Sequence, residues 1–237
     1  ARPSLSQLSF YGKKYPDIQK PSRAYISTHC ERHDCCRFAL ALRNLTRTTD
    51  EVLPEEESTA EATYLFPDAQ WYISTTKDET TFAAKAGNNG EPHNHNDVGS
   101  FELFRRGTVL LHDLGSGEYN KDYFSSKRYE FFCCSSRGHS VPIVNGTYQA
   151  EGTEHAATDV ILREDGMCAD IAGAYEEPTL RSLLRDFRFD RTEGTLRLTD
   201  TYRFDKTPSS VTERFITQAE PVIGGDGTVT IRSGSET

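Results

Sequence analysis

Residues 100–113 read Ser100-Phe101-Glu102-Leu103-Phe104-Arg105-Arg106-Gly107-Thr108-Val109-Leu110-Leu111-His112-Asp113. Two apolar-rich runs flank Arg105-Arg106-Gly107, which supplies the turn, so the stretch is a hairpin of antiparallel strands. The same signature extends outward. Upstream, Tyr64-Leu65-Phe66, Trp71-Tyr72-Ile73 and Thr81-Phe82-Ala83-Ala84 are short strands. Downstream, Asp186 to Phe189 and Leu196 to Phe204 are joined through Glu193-Gly194, and Val211 to Ile216 and Val229 to Ile231 keep the period of two. Many short strands separated by turn signals predict a mainly β chain, an antiparallel β-sandwich over residues 61–237.

The first sixty residues differ. Cys35, Phe38, Leu42 and Leu45 fall on one helical stripe, and the acidic run from Asp50 to Glu57, interrupted by Pro54, reads as a solvated connection. Residues 1–60 are therefore expected to form a short helical segment ahead of the sandwich. The only methionine is Met167, and the alternation Thr228-Val229-Thr230-Ile231 stops close to residue 237, so the sequence reads as a fragment of a longer protein.

A chain of 237 residues with 13 Phe and 11 Tyr can bury a sizeable core. The net charge of -9 argues against nucleic acid or an anionic membrane surface as partner. No apolar run approaches the roughly 20 residues of a membrane span. Between Phe101 and Ser140, however, six basic residues (Arg105, Arg106, Lys121, Lys127, Arg128, Arg137) meet five acidic ones, so an anionic ligand is tolerated there. The six cysteines include the adjacent pairs Cys35-Cys36 and Cys133-Cys134. Their spacing matches neither a disulfide framework nor a zinc ribbon, and reduced thiols are expected. That favours a cytoplasmic location and leaves a bacterial periplasmic one open; no signal peptide is visible in this sequence.

The chemistry gathers beside the hairpin. His93-Asn94-His95-Asn96-Asp97 precedes it, Asp113 ends it, and His139 follows. In an extended strand residues i and i+2 share a face, so His93 and His95 are expected to look into one site. Asp113 has the parity of Val109 and Leu111, while His112 faces the other way. A His, an Asp and a His from separate strands or loops offer three ligands with a fourth position open, and two imidazoles plus one carboxylate suit zinc. Satisfied polar groups at a sheet edge would give the same spacing.

Other polar residues have two readings each. Arg137 suits gripping a carboxylate, or making an ordinary surface ion pair. Gln149 and Asn145 suit sugar hydroxyls or loop hydrogen bonds. Tyr119 and Tyr123 suit stacking on a sugar or joining the core. His29 and His33, one helical turn apart among cysteines, are read as part of a packed helix, and His155 as a solvated loop residue.

Three motifs in order carry a resemblance: Phe82-Ala83-Ala84-Lys85-Ala86-Gly87 leading to His93-Asn94-His95-Asn96-Asp97-Val98-Gly99-Ser100-Phe101, then Asp113-Leu114-Gly115-Ser116-Gly117-Glu118-Tyr119, then Gly138-His139-Ser140-Val141-Pro142-Ile143-Val144-Asn145-Gly146. Over residues 60 to 220 the chain resembles the heparinase II/III-like polysaccharide lyases, and among them the alginate- and oligouronide-degrading members. The resemblance implies an N-terminal (α/α) toroid and a C-terminal antiparallel β-sandwich with the active site between them. Residues 1–60 would be the end of a truncated toroid. His95, Asp113 and His139 would hold a divalent metal, Zn2+ by their chemistry, with His93 as the catalytic residue facing the substrate and Arg137, Gln149 and Tyr123 as substrate contacts. The partner implied is an acidic polysaccharide or oligosaccharide, cleaved by β-elimination; a homodimer is compatible with this. The family's catalytic Tyr lies on the toroid, so the isolated fragment is expected to be inactive. Two alternatives stay open: a cupin-like metal enzyme, against which the nearest Glu after His95, Glu102, stands too far along, and a non-catalytic carbohydrate-binding sandwich.

Overall fold

Alternating burial builds two antiparallel sheets. The strands are β1 (Ala62–Phe66), β2 (Trp71–Thr75), β3 (Thr80–Lys85), β4 (Asn88–Asn89), β5 (Phe101–Arg105), β6 (Thr108–Leu111), β7 (Ile143–Val144), β8 (Gly152–Ala156), β9 (Thr158–Arg163), β10 (Gly166–Asp170), β11 (Leu180–Asp190), β12 (Thr195–Phe204), β13 (Val211–Thr212), β14 (Val222–Ile223) and β15 (Val229–Thr230). One sheet has the order β1-β2-β3-β5-β6 and the other β12-β11-β10-β9. Short pairs β7–β13, β4–β8 and β14–β15 tie down the connections. This computed structural model describes residues 61–106 and 108–231. The helical segment expected over 1–60, with His29 and His33, lies outside the described residues.

The β5–β6 hairpin closes with Arg105 opposite Thr108, and Arg106 takes a φ of 48°, as a tight turn between right-twisted strands requires. Strand β6 stops at Leu111, earlier than the sequence pattern suggests, so His112 and Asp113 leave the ladder. The expected strand Val211–Ile216 likewise shortens to two residues. Strands β8, β9 and β10 escaped the sequence reading, although Val160-Ile161-Leu162 and Met167-Cys168-Ala169 flank the turn residues Asp165-Gly166. Gly166 (φ 148°) has to be glycine, because a Cβ there would sit 2.0 Å from the Phe187 carbonyl oxygen.

The sheets face each other through aromatic rings. Phe82 lies 5.4 Å from Phe187 and 5.6 Å from Phe189, and Phe101 lies 5.2 Å from Phe187, centroid to centroid. Tyr72, Met167 and Leu183 complete this layer, all buried. Each such side chain contributes roughly 1.5–3 kcal/mol by leaving water. The architecture is an antiparallel β-sandwich. Cys133, Cys134 and Cys168 are free thiols. Among the described residues no helix is long and apolar enough to cross a membrane.

Candidate functional site

The site lies on the face of the five-stranded sheet turned away from the core. In β3, Phe82 and Ala84 point inward, so Ala83 and Lys85 point outward. Register sets Trp71 opposite Lys85, Ile73 opposite Ala83, and Ala83 opposite Glu102. These side chains floor a cleft of about 470 Å3 whose rim is Glu91, Pro92, His93, Asn94, His95, Asp97 and Asp113. Lys85 Nζ donates to Asp97 Oδ1 at 2.8 Å and lies 3.8 Å from Glu91.

At the end of this cleft the ligand atoms of His95, Asp113 and His139 all lie within 4.8 Å of one another. Each is held differently. Asp113 follows the end of β6; its backbone N–H donates to Glu102, and its Oδ1 accepts the Gly115 amide at 2.7 Å. His139 caps a short 3-10 turn, Ser136–Gly138, and is wholly buried. Its Nε2 lies 3.0 Å from the Cys133 carbonyl oxygen. A carbonyl only accepts, so that nitrogen carries the hydrogen, and in the neutral ring Nδ1 is a lone pair. Nδ1 is aimed at Asp113 Oδ2, 2.8 Å away. Two lone pairs facing each other repel; a proton or a cation between them resolves the contact.

The electrostatics prepare the cluster for a cation. Burial, with His139 close by, lowers the pKa of His95 and keeps it neutral. Burial works against the charged form of Asp113, but a proton or cation between it and His139 Nδ1, with the Gly115 amide, outweighs it and holds the carboxyl below its usual range. Burial raises Glu102. The His95 imidazole, an ionised Asp113 and the buried His139 Nδ1 without a hydrogen-bond partner form a donor set that fits a divalent metal.

His93 reaches the site by another route than expected. Residues 91–100 are turns and coil, not a strand, and His93 takes a left-handed φ of 60°. The shared-face argument therefore fails: His95 joins the cluster while His93 stands exposed at the cleft rim, edge-on to Phe124 at 6.4 Å. Arg128, which sequence reasoning passed over, fixes this loop. Its guanidinium donates to the carbonyls of His93, Asn94 and Tyr123 and stacks on the Tyr123 ring at 4.4 Å. No local pattern around Arg128 announces this. Lys85 was readable from its outward parity in β3.

The three expected substrate contacts are engaged elsewhere. Tyr123 is fully buried among Tyr119, Phe124 and Phe131, with its hydroxyl 3.3 Å from His95 Nε2; burial, then Cys134, pushes its pKa up to about 12. Its ring has no face left for a sugar. Gln149 is 5% exposed, and its amide is saturated: Oε1 accepts from Asn89 and the Val98 amide, while Nε2 donates to the Val98 carbonyl and the Tyr175 hydroxyl. Arg137 donates to Ser135 Oγ and the Glu130 carbonyl, bracing its own loop. Asn145 Oδ1 accepts from Ser209 and Ser210. His155 lies on β8 beside the Gly173 carbonyl, and His112 contacts Gln218.

Residues 59–216 match the family described as Heparinase II/III-like, C-terminal, and the chain belongs to that family. This displaces the cupin alternative. Among solved structures it is similar to the heparan sulfate lyase HepC from Pedobacter heparinus, at 17% identity and a TM-score of 0.57, covering 93% of this chain and 30% of that one. It is also similar to a heparinase III gene product, at 16% identity and a TM-score of 0.56, covering 94% of this chain and 31% of that one. At such identities the likeness is one of fold, and this chain spans less than a third of those proteins. No curated protein matches it.

Proposed function

We propose that the full-length protein is a polysaccharide lyase that cleaves a uronic-acid glycan by β-elimination, and that this chain supplies the sandwich wall of its cleft. The observation that carries this reading is the convergence of His95, Asp113 and His139 at the end of an open cleft, with His93 at the rim. Family membership and the fold shared with chains named as heparan sulfate lyases support it.

The chemistry suits these residue types. β-Elimination removes the weakly acidic proton on C5, beside the uronate carboxylate, and expels the C4 oxygen. The step needs a base, an acid, and hydrogen bonds to the charge that develops on the carboxylate. His93, exposed at the cleft rim, either exchanges a proton at C5 or O4 or donates a hydrogen bond to the carboxylate. Arg128 sets the angle at which His93 enters the cleft. Lys85 and Asp97 hold the loop behind it. A divalent cation on His95, Asp113 and His139, zinc by its donor set, would pin the three loops and add positive field at the cleft end. The remaining catalytic groups belong to the toroid, so the isolated chain is inactive.

The test is incubation of the full-length protein with alginate, heparan and other uronides while recording the ultraviolet absorbance of the C4–C5 unsaturated product. A rising absorbance supports the proposal. New reducing ends without it would indicate hydrolysis and reject elimination; binding without any cleavage would favour the carbohydrate-binding sandwich.

A further inference from the structure

A second cleft of about 650 Å3 opens on the other side of His93, lined by Glu91, His93, Tyr123, Phe124, Arg128, Tyr129, Glu151 and Glu154 among others. The charges along the two clefts are unequal. Among the described residues that line them, the only cations are Lys85 and Arg128, against the carboxylates of Glu91, Asp97, Glu102, Asp113, Glu151 and Glu154. A divalent metal at the histidine cluster would remove only half of that excess. Both cations are also committed: Lys85 sits between Asp97 and Glu91, and Arg128 spends its guanidinium on three backbone carbonyls. Arg105, Lys121, Lys127 and Arg137, which make the surrounding sequence look neutral, line neither cleft. The floor of the first cleft is apolar instead, with Trp71 42% exposed beside Ile73 and Ala83.

A sulfate group needs an uncommitted guanidinium or ammonium to replace its hydration. The described residues that line the two clefts offer none, and their carboxylates repel a dense polyanion at ranges near the Debye length. A sugar ring with one carboxylate and hydroxyl or acetamido groups, by contrast, can rest its apolar face on Trp71. We infer that the glycan this cleft takes is a carboxylated chain bearing little or no sulfate. The inference rests on the lyase reading and narrows its substrate class.

The test uses the full-length, metal-loaded protein and two length-matched hexuronate–hexosamine oligosaccharides, one unsulfated and one fully sulfated. Calorimetric affinity and unsaturated-product formation are both measured, for the wild type and for the double variant Glu151→Gln/Glu154→Gln. These two side chains are exposed. The unsulfated chain is expected to bind at least tenfold more tightly, and the double variant to narrow that ratio at least threefold by gaining affinity for the sulfated chain. Equal or tighter binding of the sulfated chain, or a ratio the variant leaves unmoved, would overturn the inference while the product assay still upholds the lyase reading. If neither probe nor any other uronide is bound or cleaved, the lyase reading fails and the inference falls with it.

Discussion

Arg185 Nη1 donates to the Ser140 carbonyl oxygen at 2.8 Å, joining the middle of β11 to the loop that carries His139. The same nitrogen reaches the Gly99 carbonyl at 3.1 Å, directly after the His95 loop. Arg185 is 1% exposed, and Asp200 and Glu213 neutralise its charge. One buried guanidinium thus ties two cluster-bearing loops to the second sheet.

Replacing it should therefore damage both stability and site. Arg185→Met leaves the Asp200 carboxylate buried without its partner and two carbonyls without donors. A loss of about 3–5 kcal/mol is expected, read by chemical denaturation, together with weaker metal binding. A change below 1 kcal/mol would show that the loops hold their places without it.

His93 should separate turnover from metal. It stands outside the three-residue cluster, so His93→Ala is expected to keep the metal content and thermal midpoint of the wild type while product formation falls about 10²–10⁴-fold. Loss of metal together with activity would place His93 among the ligands.

Gln149→Ala should act on stability and not on substrate affinity. It strips partners from the buried Val98 N–H and C=O. Two orphaned backbone groups predict a cost of about 2–4 kcal/mol, with KM for the glycan unchanged. A raised KM at unchanged stability would restore the sugar-contact role expected from sequence.

Glu213 gives the fold a pH dependence. Burial, then the neighbouring Asp200, raises its pKa above the usual carboxylate value, although Tyr202 and Arg185 pull the other way. The folded state therefore holds this proton more tightly than the unfolded one. Its contribution is fully present below the unfolded value of about 4.3 and is lost as pH rises through the higher folded value. Glu213→Gln should flatten that decline in a series of denaturation curves. An unchanged slope would assign the dependence to other groups.

Much of the sandwich was legible because β3 and the second half of β11, residues 185–190, alternate between buried and less buried positions, while the β5–β6 hairpin declared itself by its turn and apolar flanks. The cluster members His95, Asp113 and His139 were legible as residue types, since two imidazoles and a carboxylate flanking one hairpin invite a shared role. What could not be read was how loops approach one another. His93 and His95 looked paired by strand parity, but a left-handed turn at His93 sends them apart. Gln149, Tyr123 and Arg137 looked like ligand contacts because polar and aromatic loop residues so often are; burial turned the first two inward, and Arg137 bonds within its own loop. Arg128 and Arg185 were missed because the loop carbonyls they hold, those of His93, Asn94, Gly99 and Ser140, lie 34 to 86 residues away in sequence, and backbone carbonyls leave no trace in a pattern of side chains.

Metal stoichiometry in the full-length protein, compared with that of Asp113→Asn, bears most directly on the site. The asparagine amide can donate to His139 Nδ1 and so satisfy it without a cation, which keeps the fold intact. Wild type should carry one equivalent of divalent metal and Asp113→Asn less than a tenth, at matching thermal midpoints in chelator. A full equivalent retained by the variant, or none bound by the wild type after zinc loading, would contradict a cation held by His95, Asp113 and His139.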